Sequence, residues 1–385
     1  MDVAENRGYI LRMHRGDKTY IWQQPDWPHW RYDAERISPL LTQVHHVQGH
    51  LLGRMRNIGL GQSEEATLTM LTNEVLKTSE IEGELLDSDT VRSSVARRLG
   101  MEVEAVAPQD RRVDGVVNMV LDATQNFKKP LTQDRLFGWH EELVPTGYSS
   151  DEEMRVGDWR DDDKGPMQVI SGPMGRESVH FEAPPAELIP KEMSTFLKWF
   201  NQDQGLDPLV KSGLAHLWFV TIHPFEDGNG RIGRAVCDMV LARSEQSTQR
   251  FYSLSSQIRK ERKNYYNLLE RTQKDSLEVT EWLEWFLGTL LRALQGAEES
   301  LSNVLTKAQF WQQCAGTPLN PRQSILLNKL LDGFNGNLTS KKWAVIAKCS
   351  PDTALRDITD LIDKGLLMKA PAGGRSTHYQ LTPLG

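Results

Sequence analysis

The chain has 385 residues, 39% apolar and 25% charged, with a mean hydropathy of −0.50, a soluble globular composition with room for two or three compact units. A net charge of −7 argues against a surface that grips nucleic acid or acidic lipid over its whole extent, although a local basic patch is compatible with it. Three widely spaced cysteines, Cys237, Cys314 and Cys349, exclude a disulfide framework and a Cys-rich zinc site; with no apolar leader, and Leu214–Ile222 too short for a bilayer, a cytoplasmic protein without membrane contact is expected.

Residues 1–60 read as an N-terminal extension. A brief extended signal at Tyr20-Ile21-Trp22 precedes Pro25-Asp26-Trp27-Pro28, where the prolines forbid helix. Leu40, Leu41, Val44, Val47, Leu51, Leu52 and Met55 then recur at three- and four-residue steps and predict a long helix. Ser63-Glu64-Glu65 predicts the capped start of a second helix, on which Leu71, Val75, Thr78 and Glu82 share a face. Further helices are predicted from Asp89 and over about 110–127, and Thr132 caps the next.

Between Asp151 and Pro185 the pattern changes. Two β-rich pieces, Met167–Ile170 and Ser178–Phe181, flank Gly172-Pro173-Met174-Gly175 and predict a hairpin flap spanning about 155–182. Helices resume over 185–200, from the N-cap pair Asp207-Pro208, and over about 229–245, 258–274 and 278–312. Past Gly316-Thr317-Pro318, residues 318–385 give three short helical patterns and two strands, Leu366–Lys369 and His378–Leu381, around Gly373-Gly374-Arg375. That order is the layout of a winged helix-turn-helix. The fold class expected is mainly α.

One segment concentrates chemistry: His223-Pro224-Phe225-Glu226-Asp227-Gly228-Asn229-Gly230-Arg231-Ile232-Gly233-Arg234. Pro224 ends one helix, and two glycines and an asparagine open the next. A helix start offers unpaired N–H groups and a partial positive charge, and glycine lets an anion approach the backbone. Arg231 and Arg234, three apart, project from one side and suit a polyphosphate. Asp227 supplies the hard oxygen that magnesium on phosphates prefers, and His223 is the nearby group able to take a proton near neutrality.

This segment matches the Fic-family pattern H-x-F-x-[D/E]-G-N-G-R-x-x-R at every fixed position, and the chain resembles that family over about residues 60–290. The resemblance implies an all-helical Fic core (61–315) with the hairpin flap, an N-terminal helical extension and a C-terminal winged helix. The implied activity is transfer of AMP from ATP, with Mg2+, to a Ser, Thr or Tyr hydroxyl of a protein, self-modification and a homodimer included. It gives His223 the role of base and Asp227 that of metal ligand. ATP is placed against Gly228, Asn229, Gly230, Arg231 and Arg234, and against the flap edge Val169, Ile170, Ser171 and Gly172, which also suits strand addition by substrate backbone. Tyr265, beside Tyr266, and Gln273 resemble the nucleobase wall, while the two tyrosines equally suit core aromatics of a helix.

Thr78-Ser79-Glu80-Ile81-Glu82-Gly83, ending the helix of about 63–83, matches the family's inhibitory pattern [S/T]-x-x-x-E-[G/N]. An inward Glu82 needs a partner, and Arg234 is the one the resemblance implies, so that Glu82 displaces the γ-phosphate. The same glutamate positions water for removal of AMP in some relatives. The alternative placement of Glu82 is a solvated helix end. His140, beside Glu141 and Glu142, reads as a charged helix surface. A competing reading of the whole chain is a DNA-binding regulator acting through the winged helix, with Lys341, Lys342, Lys348, Arg356, Lys364, Lys369 and Arg375 making this tail basic, Gly373-Gly374-Arg375 as its wing tip, and Asp352, Asp357, Asp360 and Asp363 opposing it.

Overall fold

The computed structural model describes residues 20–56, 60–101, 109–149, 152–172, 176, 178–203, 205–331, 334, 336–370 and 377–382. Residues 1–19, the turn Pro173-Met174-Gly175 and the expected wing tip Gly373-Gly374-Arg375 lie outside them. The chain divides into two compact units, Met1–Ala297 and Glu298–Gly385.

The first unit is helical: α1 (Ala34–Arg56), α2 (Leu60–Ile81), α3 (Ser88–Leu99), α4 (Arg111–Gln125) and α5 (Gln133–Leu143) precede the flap. After it come α6 (Ile189–Asn201), α7 (Pro208–Ile222), α8 (Asn229–Glu245), α9 (Leu254–Lys260), α10 (Arg262–Gln273) and the start of α11 (Thr280–Gln313), whose residues from Glu298 on belong to the second unit. Leu71 and Val75 of α2, Val116 and Val120 of α4, Trp218, Phe219 and Ile222 of α7, and Ile232 and Val236 of α8 pack into one core. α7 and α8 lie along each other at the centre. Gly233 sits at their closest approach, where an added Cβ would stand 2.9 Å from Val220 Cγ1. Trp218 is ringed by Trp27, Trp30, Phe196 and Trp199 at centroid distances of 5.1–6.1 Å, which ties the Trp-rich N-terminal turn onto α7.

Local signals set most helix starts. Asp87, Asp110, Thr132 and Asp207 each accept a backbone N–H in the first turn that follows. Three elements differ from expectation. Of Tyr20-Ile21-Trp22 only Tyr20 is extended: Ile21–Gln23 is a 3-10 turn, with Tyr20 and Ile21 buried. Ser63 is not a cap, because α2 already runs from Leu60 and Ser63 is buried one turn inside it. The single helix expected over 258–274 is two, broken at Glu261, whose carboxylate accepts two 2.7 Å bonds from Arg292 of α11.

The strands described form three two-stranded antiparallel hairpins: β1 (Tyr148–Ser149) with β2 (Glu152–Glu153), β3 (Gln168–Ser171) with β4 (Ser178–Glu182), and β5 (Leu367–Lys369) with β6 (Tyr379–Leu381). The β3–β4 pair is the flap. Its small core is Tyr20, Phe181 and Ala183, with Tyr20 edge-on to Phe181 at 5.3 Å.

The second unit carries α12 (Pro321–Leu331), α13 (Ser340–Ile346) and α14 (Pro351–Asp363) ahead of β5–β6, around Leu326, Leu327, Trp343, Ile358 and Leu361. Asp357 is buried and accepts from Arg322 and Asn320, and Asp360 accepts from Gln323 and Lys364. Two of the four opposing acids of α14 are thus paired within the unit. Among the described residues, no helix is long and apolar enough to cross a membrane.

Candidate active site

The bend between α7 and α8 is shaped by its own residues. His223 closes α7 in the left-handed region (φ 53°), its N–H on the Phe219 carbonyl at 3.0 Å, and Pro224 forbids further helix. Phe225 is fully buried. Asn229, 2% exposed, spans the turn: its Oδ1 accepts from Phe225 N at 3.0 Å and its Nδ2 donates to Phe225 O at 2.7 Å. Gly228 (φ 81°) is the N-cap of α8, a conformation that favours glycine. The first turn of α8 therefore opens beside His223, as a helix start that binds anions must.

His223 Nδ1 lies 3.2 Å from the Val220 carbonyl. A carbonyl only accepts, so Nδ1 carries the proton and Nε2 is the basic nitrogen. Burial lowers the ring's pKa to about 4, against the smaller opposing pull of the Val220 bond, so the imidazole is neutral at pH 7. A neutral ring with an available Nε2 is a general base.

Both arginines expected to hold phosphate are present, buried, and occupied by carboxylates. Arg234 Nη2 lies 2.7 Å from Glu82 Oε1, Nε donates to Thr78 Oγ1 at 2.7 Å and Nη2 to the Thr78 carbonyl at 2.8 Å. Arg231 pairs with Glu84 at 2.9 Å and with Asp227 at 3.4 Å. The Glu82 carboxylate also presses on the N-terminal turn of α8: a methyl group at Gly230 would overlap it. The side chain of Glu82 is 31% exposed, so it faces the cavity rather than the core.

Glu82 is held there by the end of α2. Gly83 (φ 92°) donates to the Glu80 carbonyl at 3.1 Å and Glu84 N to the Ser79 carbonyl at 3.0 Å, the paired bonds of a Schellman ending with glycine at C′. Thr78, Glu82 and Gly83 thus act together, one on each side of the Arg234 guanidinium and one fixing the turn.

A cavity of about 500 Å³ opens over the bend, lined by His223, Gly230 and Glu82 on one side and by Val169, Ile170 and Ser171 on the other. Tyr265, Tyr266 and Gln273 of α10 form its inner wall. Tyr265 belongs to cavity and core at once: it is 2% exposed, with its hydroxyl 2.9 Å from His216 Nε2. Gln273 donates to Thr221 Oγ1 at 3.1 Å, and the Tyr266 hydroxyl lies 3.3 Å from Glu82 Oε2. Gly172 (φ 109°) follows the β3 edge but is not part of the cavity lining.

Asp227 Oδ1 accepts from Gly228 N at 2.6 Å, and its Oδ2 lies 3.4 Å from Arg231 Nη2. Among the described residues no cluster of three or more His, Cys, Asp or Glu could hold a metal by itself. A single carboxylate fits magnesium nonetheless, since that ion takes one or two carboxylates and completes its shell with water and substrate phosphate.

Two residues at the site escaped the sequence reading. Arg160, 3% exposed, donates from Nε to the His223 carbonyl at 2.8 Å and from Nη2 to the Pro184 carbonyl at 2.6 Å, and its own N–H meets the Pro224 carbonyl at 3.0 Å. It clasps the base of the flap to the bend. The local signal was an arginine among Asp158, Asp161, Asp162 and Asp163, a pattern that reads as solvated charge. His140 is no surface residue either. It is fully buried, stacked on Phe225 at 4.2 Å and 14°, and accepts from Gly157 N at 3.2 Å; burial lowers its pKa to about 4.

Parts of the chain are similar to known proteins. Residues 130–241 match the Fic/DOC family, and residues 20–101 match a domain of unknown function, DUF4172. A probable protein adenylyltransferase of Aquifex aeolicus is 29% identical over 103 residues, 27% of this chain and 30% of that protein. A uridine 5′-monophosphate transferase of Xanthomonas campestris pv. campestris is 27% identical over 128 residues, 30% of this chain and 21% of that protein. The matched segments thus span less than a third of either relative. A Fic family protein from Desulfovibrio desulfuricans shares the fold, with a TM-score of 0.50 at 21% identity over 90% of this chain and 97% of that one.

Proposed function

This chain carries a Fic/DOC domain at residues 130–241, and from that premise we propose that it transfers AMP from ATP to a hydroxyl of a protein and holds itself in check through Glu82. The observation that carries the reading is the neutral His223, with Nε2 available, beside a helix start whose two arginines are neutralised by carboxylates of the α2 end.

In this reading His223 Nε2 takes the proton of the acceptor hydroxyl as it attacks the α-phosphorus. The N–H groups of Gly228, Asn229 and Gly230 receive the phosphates, and Arg231 and Arg234 hold the outer ones as they leave. Asp227, with the phosphates, would hold magnesium, which supplies positive charge to the polyphosphate. Such a transfer is mostly positioning and charge stabilisation, which suits a rigid bend. Glu82 opposes it twice. It occupies Arg234, and it sets a negative charge where the outer phosphates must lie. Its removal frees the guanidinium at the cost of an ion pair that is already about a third exposed.

The test is intact-mass spectrometry of wild type and Glu82→Gly with magnesium and ATP, UTP, CTP or GTP in turn. Glu82→Gly should incorporate AMP at least ~10-fold faster, a barrier change of about 1.4 kcal/mol. Equal incorporation by the two forms removes the brake. Preference for UTP replaces the adenylyl reading with uridylyl transfer, the chemistry named for the Xanthomonas relative.

A further inference from the structure

Across the cavity from His223, the flap and α10 bring together a second set of chemistry-bearing side chains. Ser171 Oγ is 2.5 Å from His180 Nε2, and His180 Nδ1 is 2.7 Å from Glu270 Oε2. All three line the same cavity as His223 and Gly230. The protonation pattern follows from the partners. A carboxylate only accepts, so Nδ1 of His180 carries a proton; in the neutral ring Nε2 is then the lone pair, and Ser171 is the donor. Lys274 and His180 hold the Glu270 carboxyl below its ordinary range, outweighing its partial burial, so it remains an acceptor.

The flap is built to make this contact. Val169 faces Phe181 and Ile170 faces Val179, so His180 is the extra residue of a β-bulge. A bulge in so short a hairpin gives up ladder bonds, and its effect is to re-aim a side chain. Here the residue it re-aims is the histidine that bridges β3 to α10. Serine, histidine and carboxylate in hydrogen-bonded series are the arrangement that activates a hydroxyl nucleophile.

We propose that Ser171 is a nucleophile activated by His180 and Glu270, and that it accepts the nucleotidyl group within its own chain. The electrophile is pentavalent phosphorus, the α-phosphate of the nucleotide held at the bend, so the nucleotide identity rests on the function proposed above. Ser171 Oγ attacks that phosphorus and a Pα–Oγ bond forms. The bond from Pα to the bridging oxygen breaks, and pyrophosphate leaves with the electron pair. The hydroxyl proton passes to His180 Nε2, and Glu270 balances the imidazolium. The product carries a nucleotide on the flap edge, beside Val169 and Ile170, where it covers the surface an extended substrate would use.

The experiment has two arms on the full chain. In the first, wild type and Glu82→Gly are incubated with magnesium and ATP and the modified peptides are mapped. Nucleotide on Ser171, lost in Ser171→Ala and slowed at least ~100-fold in Glu270→Gln, is the expected result. Nucleotide on other side chains with Ser171 unmodified overturns the proposal. In the second arm diisopropyl fluorophosphate replaces the nucleotide and tests the serine without the α8 seat. If no nucleotide reaches any side chain, the transfer reading fails on its own, and this arm decides for Ser171. Labelling at Ser171 that falls at least ~100-fold in Glu270→Gln upholds the activated serine, and labelling no faster than at the other exposed serines overturns it. Glu270→Gln keeps the shape of the cavity wall while weakening the acceptor that fixes the histidine tautomer and the ion pair with Lys274, and an unchanged melting temperature separates a loss of labelling from a loss of fold.

Discussion

The two walls of the cavity are built in opposite ways. The α7–α8 bend is buried among the largest apolar side chains of the first unit, and Asn229 ties the turn to itself with two bonds. The flap is one hairpin with Ile170 55% exposed, a core of three buried side chains, and anchors at Arg160 and the His180–Glu270 pair. Groups proposed above to meet a phosphate within tenths of an ångström sit where packing fixes them. Groups proposed to admit a variable protein backbone sit where few contacts have to be broken for movement. The difference implies that damage to the bend stops chemistry, whereas damage to the flap changes what is modified.

The largest effect tests the bend directly. His223→Asn keeps a residue that tolerates the left-handed backbone at φ 53° and removes the basic nitrogen. Transfer of labelled nucleotide to a separate protein, measured in a Ser171→Ala background, should fall ~10³-fold, about 4 kcal/mol of barrier, with the melting temperature little changed. Activity within tenfold of wild type would dissolve the distinction between the walls, because the proton would then be leaving by another route.

The second effect is on stability and probes by pH the packing behind the bend. His140, stacked on Phe225 of the bend, and His216, bonded to the Tyr265 hydroxyl, are both buried, and burial lowers each pKa to about 4. Unfolded, each titrates near 6.5, so between pH 6.5 and 4 the unfolded chain binds more protons and stability falls as pH falls. Each ring contributes up to about 3 kcal/mol that is present above pH 6.5 and gone at pH 4. Urea midpoints at pH 7 and pH 5 should show a steep drop in wild type and a shallower one in His140→Phe, which retains the ring stacked on Phe225. Equal drops would mean that the His140 proton is taken up without unfolding.

These particulars also show what a sequence can disclose. The bend was legible because its chemistry lies in twelve consecutive residues, and its backbone signals, proline then glycines, are local. The Schellman ending at Gly83 was legible for the same reason. His140 was not, because its burial comes from Phe225, eighty-five positions away, while its own neighbours Glu141 and Glu142 are charged. The break at Glu261 depends on Arg292 of another helix, and Arg160 reads as solvated until the Pro184 and His223 carbonyls are in place around it. The His180 bulge is invisible to period-two alternation, since the extra residue leaves both strands looking regular. The fold was readable where the physics is short-range, and the support around the site was not.

The smallest effect belongs to the flap. Ile170 is 55% exposed, and β3 pairs with β4 alone among the described strands, which leaves its other edge for an incoming backbone. Ile170→Asp places charge on that edge, the device by which proteins discourage strand addition. Its cost in stability should stay within about 0.5 kcal/mol, because no packed contact is lost. Modification of a separate protein should weaken a few-fold through KM, with kcat nearly unchanged, since His223 and the arginines are untouched. A fall in kcat as large as that of His223→Asn would instead make the flap part of the reacting geometry. The two walls would then be one device, and the exposure of Ile170 would mark a surface that orders only when substrate arrives.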